Sequence, residues 1–159
     1  RALAVATAHK KKTGNILLED ILAIELSDKV RIVAQNEEWA AYVPYASRYP
    51  FEIHIAPKRS VPDFLALDEA ASDAFAPLAK EVLLRLDGVF GVKMPYIASW
   101  HQAPVRVGRD VTRLHWQIAS VRRAPGKLKY LAGSESAFGA FMMDLKPEQS
   151  AAQLRDVAL

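Results

Sequence analysis

VRIVAQNEEWAAYVPYASRYPFEIHIAP, residues 30–57, is the stretch whose reading decides the fold. Three runs within it, VRIVAQ, WAAYVP and FEIHIAP, are rich in β-branched and aromatic residues, and the turn-like NEE and YASRYP separate them. A parallel pair needs a crossover of a dozen or more residues, and no such length is available, so these strands pair antiparallel. Upstream, residues 1–12 have helical composition and stop at Thr13-Gly14. Asn15 is then placed to cap a second helix carrying Leu18, Ile21, Leu22 and Glu25 at helical spacing. Downstream, PKRSVPDFLAL reads as a loop, and Asp68 as the cap of a long helix reaching about Gly91. Pro77 lies inside that helix and is expected to kink or split it. Two further strands, MPYIASW (94–100) and TRLHWQIASV (112–121), follow, and a last helix opens at Pro147. Helices, three strands, helix, two strands, helix is an α+β order in one domain, 1–159, with 1–29 as a helical lead-in.

The totals agree. A chain of 159 residues, 51% hydrophobic and 25% charged, can bury a core without staples. No apolar run approaches the roughly 18 residues of a membrane span, and no signal-peptide pattern opens the chain. Zero cysteines removes disulfides, thiolate metal sites and a cysteine nucleophile, and favours the cytoplasm. A net charge of +3 suits phosphorylated ligands and is too mild to argue for nucleic acid. The start at Arg1, inside a helix-like segment, is read as a processed, trimmed or split product with something missing upstream.

There are four histidines: His9, His54, His101 and His115. His9 stands beside three lysines and reads as a solvated surface residue. His54 shares a strand face with Glu52. In TRLHWQIASV the alternation puts Leu114, Trp116 and Ile118 on one face, and Arg113, His115, Gln117 and Ala119 on the other. His101 ends the preceding strand, so His101 and His115 can meet across the sheet. Two imidazoles can hold Zn or Fe only with further ligands, for which Gln117 is a weak candidate; a hydrogen-bonded core is the alternative.

In RRAPGKLKYLAGSE (122–135), Arg122, Arg123, Lys127 and Lys129 bring four positive charges before the first acid, Glu135. Backbone N–H groups near Gly133 can approach a phosphate, a lysine there acts as a point charge, and Glu135 can accept from sugar hydroxyls. A plain solvated basic loop is the alternative. Neither a Walker-type loop nor a G-x-S-x-G elbow occurs in the chain.

Taken in order, WAAYVPYASRYPFEIHIAPKRSVPD, MPYIASWHQAP, LHWQ and KLKYLAGSE resemble the C-terminal half of the galactose-1-phosphate uridylyltransferase family, from about Val30 to the end. The resemblance implies a histidine-triad-like fold, an antiparallel half-barrel with flanking helices. It also implies UMP exchange between UDP-glucose and galactose 1-phosphate through a covalent UMP–histidine. The nucleophile of that family belongs to an H-P-H motif in the N-terminal half, and this chain has no H-P-H. No catalytic residue is therefore assigned here, and His115 is not the nucleophile.

The same resemblance implies a divalent metal, Zn or Fe, at His101, His115 and Gln117, with a glutamate from the other half. Gln117 stands where the better-known form has a third histidine. It further implies UDP-sugar contacts from Lys129, Tyr130, Ala132, Gly133, Ser134 and Glu135, with Ser134 departing from the usual tyrosine. The implied partners are UDP-glucose or UDP-galactose, a hexose 1-phosphate, and an N-terminal half bearing the nucleophilic histidine. Pairing as a homodimer or heteromer is implied as well. The alternatives are a non-catalytic nucleotide-binding or assembly domain of the same fold, or half of a related nucleotide phosphorylase.

Overall fold

The structure is a computed structural model that describes residues 2–159. Five strands form one antiparallel sheet: β1 (Ile32–Gln35), β2 (Trp39–Tyr42), β3 (Phe51–Pro57), β4 (Ile97–His101) and β5 (His115–Ser120), in the order β1-β2-β3-β5-β4. All five are the strands expected from composition. The long β4–β5 connection lets β5 insert between β3 and β4, so the two histidine-bearing strands are neighbours.

Because side chains alternate along a strand, the sheet has two distinct faces. One carries Trp39, Phe51, Ile53, Ile55, Leu114 and Ile118, all fully buried. These pack against Leu78, Val82 and Leu86 of α3 (Glu69–Gly88) and Ala151 and Leu154 of α5 (Pro147–Arg155). Trp39 donates its indole N–H to the Ala71 carbonyl at 2.7 Å, fixing α3 on this face. The other face is covered over only part of its width. Leu22 of α2 (Leu17–Asp28), with Ile21 and Leu26 around it, packs on Ile32, Ala40, Tyr42 and Ala56 near the β1 edge. Toward β5 and β4 that face stays open.

Several local expectations are corrected. Pro77 neither splits nor ends α3, which runs unbroken through it. Pro77 and Asp73 sit one turn apart and are both exposed, so the carbonyl that loses its N–H partner faces water. Asp68 does cap α3, accepting from the Ala71 amide at 2.9 Å. Asn15 does not cap α2: the N-cap is Ile16, without a side-chain bond, and Asn15 instead donates to Asp20 at 2.9 Å. α1 (Ala2–Thr13) ends at Gly14 with φ +83°, a left-handed stop as expected. His9 is not simply solvated, since its Nε2 lies 2.7 Å from Asp20 Oδ2 and joins α1 to α2.

The basic segment forms a small hairpin, β6 (Arg122–Ala124) and β7 (Lys127–Leu128). It turns on Pro125-Gly126, where Gly126 has φ +66°, the conformation a type II turn requires. The short helix α4 (Gly133–Phe138) follows.

Candidate functional site: a histidine face and a basic arm

On the open half of the sheet, register brings three imidazoles into a row. His101 of β4 lies directly opposite His115 of β5, and His54 of β3 lies opposite Gln117 of β5. The His101 and His115 rings are parallel within 8° with centroids 4.8 Å apart, and the His54 ring lies 5.5 Å from His115. Behind them sits Glu52, only 2% exposed. Its carboxylate accepts from the Arg48 amide at 2.7 Å, the Gln117 amide nitrogen at 2.8 Å and His54 Nε2 at 3.2 Å. Burial works to raise the Glu52 carboxyl, but the bonds from His54 and the Arg48 amide outweigh it and hold it below the ordinary range.

His115 is pushed down to about 4, first by burial and then by the neighbouring His54. His115 Nδ1 lies 3.2 Å from the Arg113 carbonyl, so Nδ1 carries the proton and Nε2 keeps its lone pair. Partial burial and His54 also lower His101. Ser99 Oγ stands 3.0 Å from His101 Nε2. Arg113, itself 2% exposed, turns away to the end of β3, where its guanidinium donates to the Pro57 and Arg59 carbonyls. A cleft of about 350 Å³ opens beside this row, with Tyr49, Tyr96, Ile97, His101, Gln117 and Ala119 among its walls.

The expected metal set was tested against this geometry. His101, His115 and Gln117 do come together on one face. The imidazole lone pair lies in the ring plane, and two parallel, stacked planes share no point at which one ion could meet both. Among the described residues, no three His, Cys, Asp or Glu side chains converge as metal ligands. As placed, the two rings do not converge on one position, while the Gln117 amide oxygen, with its NH2 on Glu52, remains a donor of the set.

The basic arm differs from expectation in another way. Lys129 is not a free point charge. Its side chain is 7% exposed and its ammonium lies 2.6 Å from Glu135 Oε1. It also donates to the Arg48 carbonyl at 3.2 Å and to the Met142 carbonyl. Glu135 accepts from the amides of Ala132 at 2.7 Å and Met142 at 3.1 Å. The Lys129 hydrogen bond first, and those two amides next, hold the Glu135 carboxyl down to about 2. Around this pair Tyr130, Ala132 and Gly133 are exposed and Ser134 is half-buried. Arg123 pairs with Asp144 at 2.8 Å. Sequence reasoning placed His54 and Glu52 on one face but missed the bond from Gln117 to Glu52, and it missed the Lys129–Glu135 pair. Both joins depend on side-chain direction.

The family described as galactose-1-phosphate uridyl transferase, C-terminal domain, matches residues 4–159. The chain belongs to this family. A galactose-1-phosphate uridylyltransferase of Streptomyces lividans is 40% identical over 164 residues, covering 95% of this chain and 45% of that relative. A solved uridylyltransferase structure superposes with a TM-score of 0.88 at 34% identity, covering 97% of this chain and 48% of that one. A Hit-like protein of Bartonella henselae, 13% identical with a TM-score of 0.51 over 84% of this chain and 92% of its own, shares the fold alone. The chain therefore spans about half the length of its uridylyltransferase relatives, as a C-terminal domain of histidine-triad-like α+β architecture. No helix among the described residues is long and apolar enough to cross a membrane.

Proposed function

We propose that this chain acts as the C-terminal part of a galactose-1-phosphate uridylyltransferase. The observation that carries the reading is the family match along residues 4–159 in a chain that lacks H-P-H. In the exchange, an imidazole nitrogen attacks the α-phosphorus of UDP-glucose, and the bond to glucose 1-phosphate breaks. The histidine-bound UMP then passes to galactose 1-phosphate, giving UDP-galactose and freeing the histidine. The attacking imidazole comes from an N-terminal half. His115 stands outside any H-P-H motif, flanked by Leu114 and Trp116, and is half-buried with its ring stacked on His101.

This chain's part is binding. Lys129 and Glu135 hold the arm in shape, and the backbone of Ala132 and Gly133 with the side chains of Tyr130 and Ser134 face the sugar nucleotide. The active assembly is a dimer or a heteromer of halves, working in the cytoplasm. The edge strand β4 supports the need for a partner, because Tyr96 and Ile97 are exposed there (45% and 77%) beside unpaired backbone groups.

The test is reconstitution. The purified chain is incubated with UDP-glucose and labelled galactose 1-phosphate, alone and with the N-terminal half of a family member supplied as a second chain. Label enters UDP-galactose only in the mixture. An inactive mixture, combined with no calorimetric binding of UDP-glucose, rejects the reading in favour of an assembly domain.

A further inference from the structure

Arg48, in the loop before β3, divides its roles between main chain and side chain. Its N–H donates to Glu52 at 2.7 Å, and its carbonyl accepts from Lys129 at 3.2 Å. The backbone is thereby pinned where the histidine face meets the arm, and the side chain takes no part in either bond. That side chain is exposed, and its guanidinium carbon lies over the Phe141 ring, 5.6 Å from the centroid. Phe141 leans in turn on Tyr49, with centroids 6.2 Å apart, and Tyr49 walls the cleft beside His101. Among the described residues no carboxylate pairs with the Arg48 guanidinium. Two cations of the arm are already neutralised, Lys129 by Glu135 and Arg123 by Asp144. The Arg48 charge is felt in the cleft, since burial first, then His54, and in smaller part Arg48 lower His101.

A guanidinium laid on an aromatic face keeps its N–H edge free, and that edge matches two oxygens of a phosphoryl group. The surroundings give it a direction. Phe141 is followed by Met142, whose amide donates to Glu135 and whose sulfur accepts from the Ser134 hydroxyl at 3.7 Å. The Arg48–Phe141 stack therefore stands beside the segment proposed to face the sugar nucleotide. We propose that Arg48, backed by Phe141, binds the phosphoryl group of the sugar substrate, either the monoester of a hexose 1-phosphate or the diphosphate of a UDP-sugar. It supplies the free positive charge that Lys129, closed on Glu135, does not. The inference rests on the uridylyltransferase reading and adds to it a phosphate contact from outside the arm.

The test is binding of galactose 1-phosphate and of UDP-glucose, by calorimetry, to the chain alone and mixed with a separately supplied N-terminal half. Arg48→Ala should weaken at least one of the two by about tenfold or more, with the thermal midpoint unchanged. Arg48→Lys keeps the charge without the fork and should restore part of that affinity. Phe141→Leu removes the aromatic backing and should weaken the same ligand by a smaller factor, about two- to fivefold. Loss for galactose 1-phosphate alone assigns the contact to the monoester, and loss for UDP-glucose alone to the diphosphate. Both ligands bound by Arg48→Ala as tightly as by the unsubstituted protein overturns the proposal and leaves the uridylyltransferase reading standing. Equal losses in Arg48→Ala and Arg48→Lys with a lowered thermal midpoint mean a structural role and overturn it too. No binding of either ligand to the unsubstituted protein overturns it as well; joined to an inactive mixture, that result also rejects the reading beneath it. Should Arg48→Ala not fold, Arg48→Gln carries the same comparison.

Discussion

Glu52 and Glu135 are both buried carboxylates that accept three hydrogen bonds, yet they do different work. Glu52 draws one donor from Gln117, 65 residues away, and two from Arg48 and His54 close by, so it ties β3 to β5 across the sheet. Glu135 takes all its donors from within seven residues, Lys129, Ala132 and Met142, and so shapes a single arm. Arg48 connects the two, since its N–H serves Glu52 and its carbonyl accepts from Lys129. Sequence separation decides what each carboxylate stabilises: a long-range tie belongs to the global fold, and a local one to its own segment.

Removing each carboxylate is the harshest way to break this comparison. Glu52→Leu orphans the Gln117 and Arg48 donors and is expected to cost about 3 kcal/mol of global stability in urea unfolding. Glu135→Leu should leave the urea midpoint far less changed while amides of residues 139–143 lose exchange protection. Equal midpoint losses in the two variants would erase the distinction.

Acid separates the regions next. His115 is held down to about 4, so between pH 6.5 and 4 the unfolded chain takes up a proton that the folded chain refuses. Stability therefore falls as pH drops through that window, by about 3 kcal/mol. Glu135, held down to about 2, contributes stability that is complete above its ordinary value of 4.5 and disappears as pH falls toward 2. Urea unfolding at stepped pH checks the first window, and His115→Phe should flatten it. Arm-amide exchange between pH 4.5 and 2 checks the second.

Lys129→Ala should let the Glu135 carboxyl rise back toward the ordinary range by NMR titration, leaving the His115 titration where it was. A shift in both would mean that the arm and the face are coupled through Arg48. The smallest effect on folding is expected of Tyr130→Ala. Tyr130 is 83% exposed, so stability should stay within about 0.5 kcal/mol while calorimetric affinity for UDP-glucose falls. Unchanged affinity would remove Tyr130 from the proposed contacts.

Much of the fold was legible because its signals are local. Period-two alternation in LHWQIAS put Leu114, Trp116 and Ile118 on one face, and Leu114 and Ile118 are fully buried in the core with Trp116 half-buried beside them. The brevity of NEE and YASRYP required antiparallel pairing. Pro147 and Asp68 marked helix starts correctly. Where local signals misled, a neighbour outweighed them. Pro77 is tolerated because the freed carbonyl meets water, while Trp39 and Asn36 hold α3 by its carbonyls at Ala71 and Ala74. The hairpin at Pro125-Gly126 had a turn signal in its sequence, but the strands on either side are too short to show alternation.

The candidate site divides along the same line. By itself the sequence determined the element order, the alternation of faces along the strands, the grouping of His115 and Gln117 on the polar face of theirs, and the family. Only the tertiary structure decided that α2 stops short of β5 and leaves those residues open, that the His101 and His115 rings stack in parallel, and that the Lys129 charge is neutralised by Glu135. Alternation and turn chemistry act over a few residues and can be read along the chain. The direction of a side chain and the partner that satisfies it depend on which donors fold up beside it, and for Gln117 the deciding group, Glu52, lies 65 residues away.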